Sequence, residues 1–258
     1  MTEERRESAS WTIEDSQKLY GIDHWGSRYF GIDQNGEVTV RLLRGEEWRE
    51  VSLYQAARGA QERGLSMPVL LRFRDILDAR ISLLNESFAK AIAEYGYRGS
   101  YRGVFPVKVN QQQEVIREIV KAGSRYHHGL EAGSKAELIA AMAYMHDPQG
   151  YIICNGYKDE EFIDLALYGT KLGLKVFIVV ERPGELELVL NRAEKARVSP
   201  SIGLRIKLTA KSEGHWTESG GEKSIFGLSA LQLTESVDLL KERGMLDCLE
   251  LLHYHQGS

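Results

Sequence analysis

Cysteine is scarce in this sequence, and long apolar runs are missing. Two of the 258 residues are cysteine, Cys154 and Cys248, and each lies in an apolar stretch. This predicts buried free thiols in a reducing compartment, not a disulfide framework or a metal cluster. The residues after Met1 contain no apolar signal core, and no segment approaches the roughly eighteen apolar residues of a membrane span. We therefore expect a cytoplasmic protein that does not enter a membrane.

A strong excess of either charge is also lacking. The formal net charge is −4 and the pI is about 6.0, so nothing favours binding to nucleic acid or to an anionic membrane surface. With 43% hydrophobic and 27% charged residues, the composition is typical of a globular protein that can bury a sizeable core.

The N-terminal part differs in pattern from the rest. Residues 1–10 are polar and predict a disordered tail. Residues 11–67 predict a short β segment of a second, β-rich domain, because Asn35-Gly36 separates two β-like runs and is a strong hairpin signal.

After Pro68 the sequence alternates between helical and strand-like patterns, which predicts a (β/α) barrel over residues 68–258. A helix is predicted over 72–95. The predicted strands are Gly103–Val109, His128–Glu131, Tyr151–Cys154, Lys175–Val180, Ser201–Leu208 and Leu249–His255, and the helices between them are Glu114–Ala122, Ser134–Met145, Asp159–Tyr168, Gly184–Ala196 and Ala230–Arg243. Such repetition is typical of a parallel sheet with right-handed crossovers.

Two α/β architectures fit this order. A doubly wound sheet needs a glycine-rich phosphate turn after its first strand, but no glycine occurs in Lys108–Gln113. A (β/α)₈ barrel of the TIM type explains polar residues at strand ends better, since barrel active sites collect there. Six strands are two short of closure, so the sequence predicts an incomplete barrel.

Polar residues at the predicted strand ends are the candidates for chemistry. Lys108 stands in an otherwise apolar run, where burial would favour the free amine that forms a Schiff base; a strand-edge lysine in solvent is the alternative. Glu131 is either a site acid or a turn carboxylate before the helix that Ser134 and Glu137 cap. Arg205 and Lys207 share one face of their strand, which points either into the barrel, towards an anionic ligand, or outward.

Two further segments complete the candidates. The glycine-rich loop 212–224 predicts a mobile lid; it is not a P-loop, because Glu222 replaces the required glycine. At the C-terminus, His253 and His255 lie on one face of the last strand, and Gly257-Ser258 offers donors to an anion. A metal site at the two histidines is the weaker alternative.

Together and in order, these motifs resemble the biosynthetic arginine decarboxylases, which are alanine-racemase-like (fold type III) pyridoxal phosphate enzymes. The resemblance covers nearly the whole chain. It rests on the segments 20–26, 68–73, 101–111, 129–138, 154–159, 219–224 and 252–258.

The resemblance implies a role for each candidate. Lys108 matches the catalytic lysine that holds pyridoxal phosphate, and Glu131 matches the acid beside it. Arg205 matches a basic residue near the cofactor ring, His255 the catalytic imidazole that stacks on the ring, and Ser258 a hydroxyl on the phosphate. The implied reaction is decarboxylation of L-arginine to agmatine and CO₂, the first step of a polyamine (putrescine and spermidine) route, in a homodimer or homotetramer. The family also implies Mg²⁺, for which no residue can be named.

The sequence departs from the family pattern in two ways. Ile225 stands where the pattern has a lysine, and the chain ends before the last barrel strands, the phosphate loop and the acid at the pyridine nitrogen. The alternatives are a truncated, catalytically incompetent fragment and a related decarboxylase, such as one for diaminopimelate or carboxynorspermidine. The N-terminal β segment and the long 212–224 loop favour the arginine enzymes over those shorter relatives.

Overall fold

The structure is a computed structural model that describes residues 10–44, 47–208 and 225–255. The chain divides into two compact units, Met1–Arg80 and Ile81–Ser258. The division falls within a long helix, and the domain boundary near Pro68 stays a prediction. In the described part of the chain, no helix is both long and apolar enough to cross a bilayer.

The first unit contains a small antiparallel sheet with strand order β1-β2-β3. Its elements are α1 (Ile13–Leu19), α2 (Ile22–Trp25), β1 (Phe30–Ile32), β2 (Val38–Arg44), β3 (Glu47–Ser52) and α3 (Leu53–Glu62), and α4 (Arg74–Glu94) runs from this unit into the next. The predicted hairpin is confirmed, because the turn at Gly36 (φ 79°) joins β1 to β2.

The prediction of β structure from Trp11 onwards is wrong for the first residues, which form α1. Thr12 accepts a hydrogen bond from the Asp15 N–H, and the Asp15 carboxylate accepts one from the Thr12 N–H. This capping box satisfies donors at the helix N-terminus and favours helix over strand.

The second unit is a parallel six-stranded sheet in sequence order, β4 to β9. The strands are β4 (Val104–Pro106), β5 (Gly129–Ala132), β6 (Tyr151–Cys154), β7 (Lys175–Val180), β8 (Ser201–Arg205) and β9 (Leu249–His253), and the later helices are α5 (Gln113–Gly123), α6 (Lys135–Tyr144), α7 (Glu160–Lys171), α8 (Glu185–Ala196) and α9 (Ala230–Glu242). This βα repeat confirms the predicted part of a (β/α)₈ barrel.

The two faces of this sheet bury different side chains, because successive residues of a strand point to opposite sides. Ile152, Ile178 and Leu204 belong to the large core that the helices cover. Ile153 and Val179 form a smaller apolar cluster on the other face. We call this second face the inner face; residues of odd number in β5 to β8 point to it, and after a register shift in β9 so do Leu251 and His253.

Three predicted strands are shorter than expected. Val107–Val109 is a 3₁₀ turn and not the end of β4, because the Asn110 N–H bonds back to the Val107 carbonyl at 3.2 Å. β8 ends at Arg205, three residues before its predicted end, and β9 ends at His253, two residues before its predicted end. Arg205 and His253 are therefore the last residues of their strands.

Candidate functional site

Polar side chains gather on the inner face where the parallel strands end. Glu131 lies in β5, Asn155 and Glu181 directly follow β6 and β7, and Arg205 and His253 end β8 and β9. Their odd numbers put them on the same face as the small apolar cluster, above Ile153 and Val179. The C-terminal edge of the sheet thus carries a set of polar groups, which we call the strand-end site.

Lys108 lies at this edge in the 3₁₀ turn after β4. The expectation that it is buried inside a strand is wrong: its side chain is exposed, whereas the neighbouring Val107 is 2% exposed. Its ammonium group is nevertheless close enough to lower the pKa values of Glu131 and His255 electrostatically. The amine is thus exposed, and its charge acts on two other predicted site residues.

Glu131 is a buried acid and not a turn carboxylate. Its side chain is 8% exposed and accepts a hydrogen bond from Asn155. Burial raises the pKa of Glu131, and Lys108 and the Asn155 hydrogen bond oppose that shift. Burial therefore favours a proton on this carboxyl group.

The helix after Glu131 is capped almost as predicted. Ser134 accepts a hydrogen bond from the Glu137 N–H, which confirms the cap. The Glu137 carboxylate, however, accepts from the Gly133 N–H at 2.7 Å and from the Gln111 side chain at 2.8 Å. Glu137 thus ties the turn after β4 to the turn after β5.

Arg205 points to the inner face, which resolves the two orientations that the sequence allows. Its guanidinium donates to Glu181 Oε2 at 2.9 Å, while Leu204 packs under the helices. The Arg205 side chain is 13% exposed and that of Glu181 is 1% exposed. The strand end therefore carries a largely buried, paired cation.

His253 and His255 follow one another on the inner side of β9 and the residues after it. His253 pairs with Arg205 in the sheet register. Burial lowers the pKa values of both histidines, and the charge of Arg205 lowers them further. In the described residues no group of three or more His, Cys, Asp or Glu side chains could hold a metal ion, so nothing there supports the metal alternative.

Several predicted features lie outside the described residues. These are Gly257-Ser258, with the predicted phosphate hydroxyl, and the whole loop 212–224. Ile225, the first residue after that gap, is 74% exposed.

Buried polar atoms without a hydrogen-bond partner concentrate in the strand-end site. Of four such atoms in the described residues, three belong to this site: Glu131 Oε2, Asn155 Oδ1 and His253 Nδ1. Leaving such a group unpaired costs about 1–3 kcal/mol. Unsatisfied groups at one sheet edge are typical of a surface prepared for a polar ligand.

The sequence prediction missed Asn155 and Glu181 as site residues. Each directly follows a predicted apolar strand, so the strand-end rule that selected Glu131 would have found both. It also missed the pair behind them: Lys158 Nζ lies 3.3 Å from Glu185 Oε1, with side chains 0% and 6% exposed.

Comparison with known proteins agrees with this geometry. Residues 81–258 match the family model described as "Pyridoxal-dependent decarboxylase, pyridoxal binding domain". The chain belongs to the pyridoxal-dependent decarboxylases. Within this family, its strand-end site lies where barrel enzymes carry their active sites, at the C-terminal ends of the strands.

The curated relatives of this decarboxylase chain include two named biosynthetic arginine decarboxylases. The protein from Gloeobacter violaceus is 50% identical over 96% of this chain and 38% of its own length. A Prochlorococcus marinus protein is 44% identical over 98% of this chain and 39% of its own length. The chain thus spans about two fifths of the length of these relatives.

Solved structures give the same fold. The crystal structure of the biosynthetic arginine decarboxylase from Campylobacter jejuni aligns with a TM-score of 0.80 and 34% identity, covering 92% of this chain and 38% of that one. A diaminopimelate decarboxylase from M. jannaschi aligns with a TM-score of 0.64 at 20% identity, over 90% of this chain and 49% of that one. The second likeness concerns the fold alone.

Proposed function

We propose that the complete gene product decarboxylates L-arginine to agmatine and CO₂ with pyridoxal phosphate, at the start of a polyamine route. Membership of the pyridoxal-dependent decarboxylases supports the chemistry. The relatives named arginine decarboxylases, at 44–50% identity, support the substrate. The observation that carries the proposal is the convergence of Lys108, Glu131, Arg205 and His255 at one sheet edge.

The residues of the strand-end site fit pyridoxal phosphate. When bound, it supplies an aldehyde carbon that a lysine amine attacks and a conjugated ring that accepts the electron pair released as CO₂ leaves. Lys108 offers an exposed amine for this bond. The unpaired atoms of Glu131, Asn155 and His253 offer polar contacts that the protein itself leaves unused within the described residues.

We assign each residue a task that its own environment supports. Lys108 would bind the cofactor covalently, and Glu131, whose pKa is raised by burial against the opposing charge of Lys108, would lie beside the bound cofactor. Arg205 donates hydrogen bonds to a polar edge of the ring. His255, whose neutral form is favoured by burial and by Arg205, packs against a ring face. We propose that the Ser258 hydroxyl donates a hydrogen bond to the cofactor phosphate.

Further parts of the proposal concern the whole protein. We propose a homo-oligomer without nucleic-acid partners, and a cytoplasmic location, which the two buried free cysteines Cys154 and Cys248 favour. A requirement for Mg²⁺ stays a prediction from the family resemblance. We assign no residue to it, since the described residues contain no group of three or more His, Cys, Asp or Glu that could hold a metal ion.

Chemical trapping of the cofactor on the complete gene product tests the proposal. Borohydride reduction followed by peptide mass spectrometry should place pyridoxal phosphate on Lys108, and purified enzyme should release CO₂ and agmatine from arginine. Lys108→Ala should abolish both, whereas Lys121→Ala, which removes an exposed lysine of α5, should retain both. Label and agmatine production in the Lys108→Ala protein would refute the assignment.

A further inference from the structure

Glu181 is a buried charged residue that the proposed reaction does not use directly. It follows β7 at the C-terminal edge of the sheet, and it is 1% exposed. A carboxylate is rarely buried this completely unless it is paired and hydrogen-bonded. Its contacts therefore indicate what it does.

Four hydrogen bonds fix Glu181 in one position. Its Oε1 accepts from the Gly156 N–H at 2.9 Å, and its Oε2 accepts from Arg205 at 2.9 Å. Its backbone N–H donates to Glu185 Oε2 at 2.7 Å, and its carbonyl accepts from the Gly227 N–H at 2.9 Å. Neither the backbone nor the carboxylate of Glu181 can turn without breaking one of these bonds.

A second buried pair stands behind Glu181 and supports it. The Glu185 carboxylate that holds the Glu181 backbone also accepts from the Lys158 N–H at 3.2 Å and pairs with the Lys158 ammonium. Two ion pairs, Lys158 with Glu185 and Arg205 with Glu181, are thus joined through the backbone N–H of Glu181. The pair of Glu181 and Arg205 belongs to the strand-end site, and the pair of Lys158 and Glu185 lies behind it.

Arg205 has further N–H donors besides the one that contacts Glu181. Its guanidinium carbon lies 5.3 Å from the centre of the Phe226 ring, over the ring face. Within residues 10–44, 47–208 and 225–255, only its Nη1 donates a hydrogen bond, to Glu181. Because a guanidinium carries five N–H donors in a fixed plane, holding Nη1 fixes the direction of the others.

We propose that Glu181 is a positioning residue that orients Arg205 towards the ligand of the strand-end site. This inference rests on the proposed pyridoxal phosphate site, because the ligand of Arg205 is taken to be that cofactor. The pair holds the guanidinium before the ligand arrives, so less freedom is lost on binding. Glu181 also acts electrostatically on Glu131 and His255, as expected for a fixed charge beside the site.

Selective chemical modification of arginine tests the orientation without any cofactor. In the complete gene product without pyridoxal phosphate, phenylglyoxal modification is followed by peptide mass spectrometry. Glu181→Gln keeps the size of the side chain but removes the charge, and we expect the rate at Arg205 to rise several-fold. The internal control is Arg192, whose Nη1 pairs with Glu160 at 2.8 Å and whose Nη2 pairs with Asp164 on α7; its rate should not change.

A matched variant and a double-mutant cycle complete the test. Asp164→Asn should raise the rate at Arg192 and leave Arg205 as before. In a titration of apoenzyme followed by cofactor absorbance, Glu181→Gln should weaken pyridoxal phosphate binding about ten-fold, as loss of one charge-assisted contact predicts. In an Arg205→Gln background, the same change should have little further effect, because the two residues act as one unit.

Each outcome bears on the inference. An unchanged rate at Arg205, equal increases at Arg205 and Arg192, or additive effects on cofactor binding would overturn it. If Glu181→Gln does not fold, Glu181→Asp carries the same comparison, since its shorter side chain cannot reach both Gly156 and Arg205. If the parent protein binds no pyridoxal phosphate, the proposed function fails, whereas the phenylglyoxal rates still decide whether Glu181 orients Arg205.

Discussion

Asn155 donates a side-chain hydrogen bond to Glu131 across neighbouring strand ends, and one oxygen of each residue remains without a partner. Both groups are removed from water, yet the described protein completes only half of their hydrogen bonding. A site of this kind lowers the stability of the protein in exchange for readiness to bind a ligand. Substitutions at such a site should therefore change the free energy of unfolding, which can be measured without the cofactor.

Glu131→Gln should stabilise the protein at neutral pH by about 1 kcal/mol, a typical gain when a strained functional site is relaxed. Burial raises the pKa of Glu131 above its ordinary value of 4.5. The parent protein therefore loses stability as pH rises through the raised pKa, and the glutamine variant does not. Urea unfolding across this range measures the difference. Below pH 4.5 the two proteins should converge, and a constant difference at every pH would contradict the explanation.

His253→Gln should reduce the loss of stability in acid. Burial and Arg205 lower the pKa of His253 below its ordinary value of 6.5. The contribution of neutral His253 is therefore fully present above pH 6.5 and is lost as pH falls through the lowered pKa. Free energies of unfolding on both sides of this range test the point, with the exposed His146→Gln as control. An equal change in the free energy of unfolding of the two variants would show that His253 does not cause the loss of stability in acid.

Lys158→Met should destabilise the protein by about 3–5 kcal/mol, because it leaves the Glu185 carboxylate buried and unpaired. The control is Lys135→Met. Lys135 pairs with Asp159 at 2.8 Å but is 40% exposed, so its loss should cost about 0–1 kcal/mol. Thermal or urea unfolding separates the two cases. Similar losses in both variants would mean that the burial of Lys158 is not decisive.

Gly156→Ala should destabilise by more than Gly173→Ala. Both glycines have positive φ, 82° and 87°, which an L side chain adopts only with strain. A Cβ at Gly156 would also lie 2.9 Å from the Gly133 carbonyl oxygen, whereas one at Gly173 would meet nothing within 4 Å. The expected costs are about 1 kcal/mol for Gly173 and more for Gly156. Equal free energies of unfolding would count against the contact.

Much of the barrel segment could be predicted from periodicity alone. The bounds of β6 and β7 match the predicted Tyr151–Cys154 and Lys175–Val180, because apolar runs bounded by polar turns leave little ambiguity. The turn at Lys108 could not be predicted in this way. Val107 and Val109 continue an apolar pattern, and only the backbone bond from Asn110 to Val107 ends the strand before the lysine.

The sequence predicts which residues lie at the site, but it does not predict which of them form ion pairs with one another. The end of a strand selects Glu131 and Arg205 as candidates, yet periodicity does not tell which face is the inner one until both layers of packing are known. The partner of Arg205 is Glu181, 24 residues earlier in the chain. Such a pairing follows from the sheet register, which brings β7 beside β8, and local sequence patterns carry no information about it.

The alternation of side chains along β7 and β8 also restricts which insertions and deletions this sequence can tolerate during evolution. Inserting or deleting one residue within either strand would exchange its two faces, turning Glu181 or Arg205 towards the helices and an aliphatic side chain into the site. A substitution, by contrast, leaves the two faces of a strand where they are. Homologous sequences should therefore vary in length in the loops beyond the strand ends and keep the lengths of β7 and β8 unchanged.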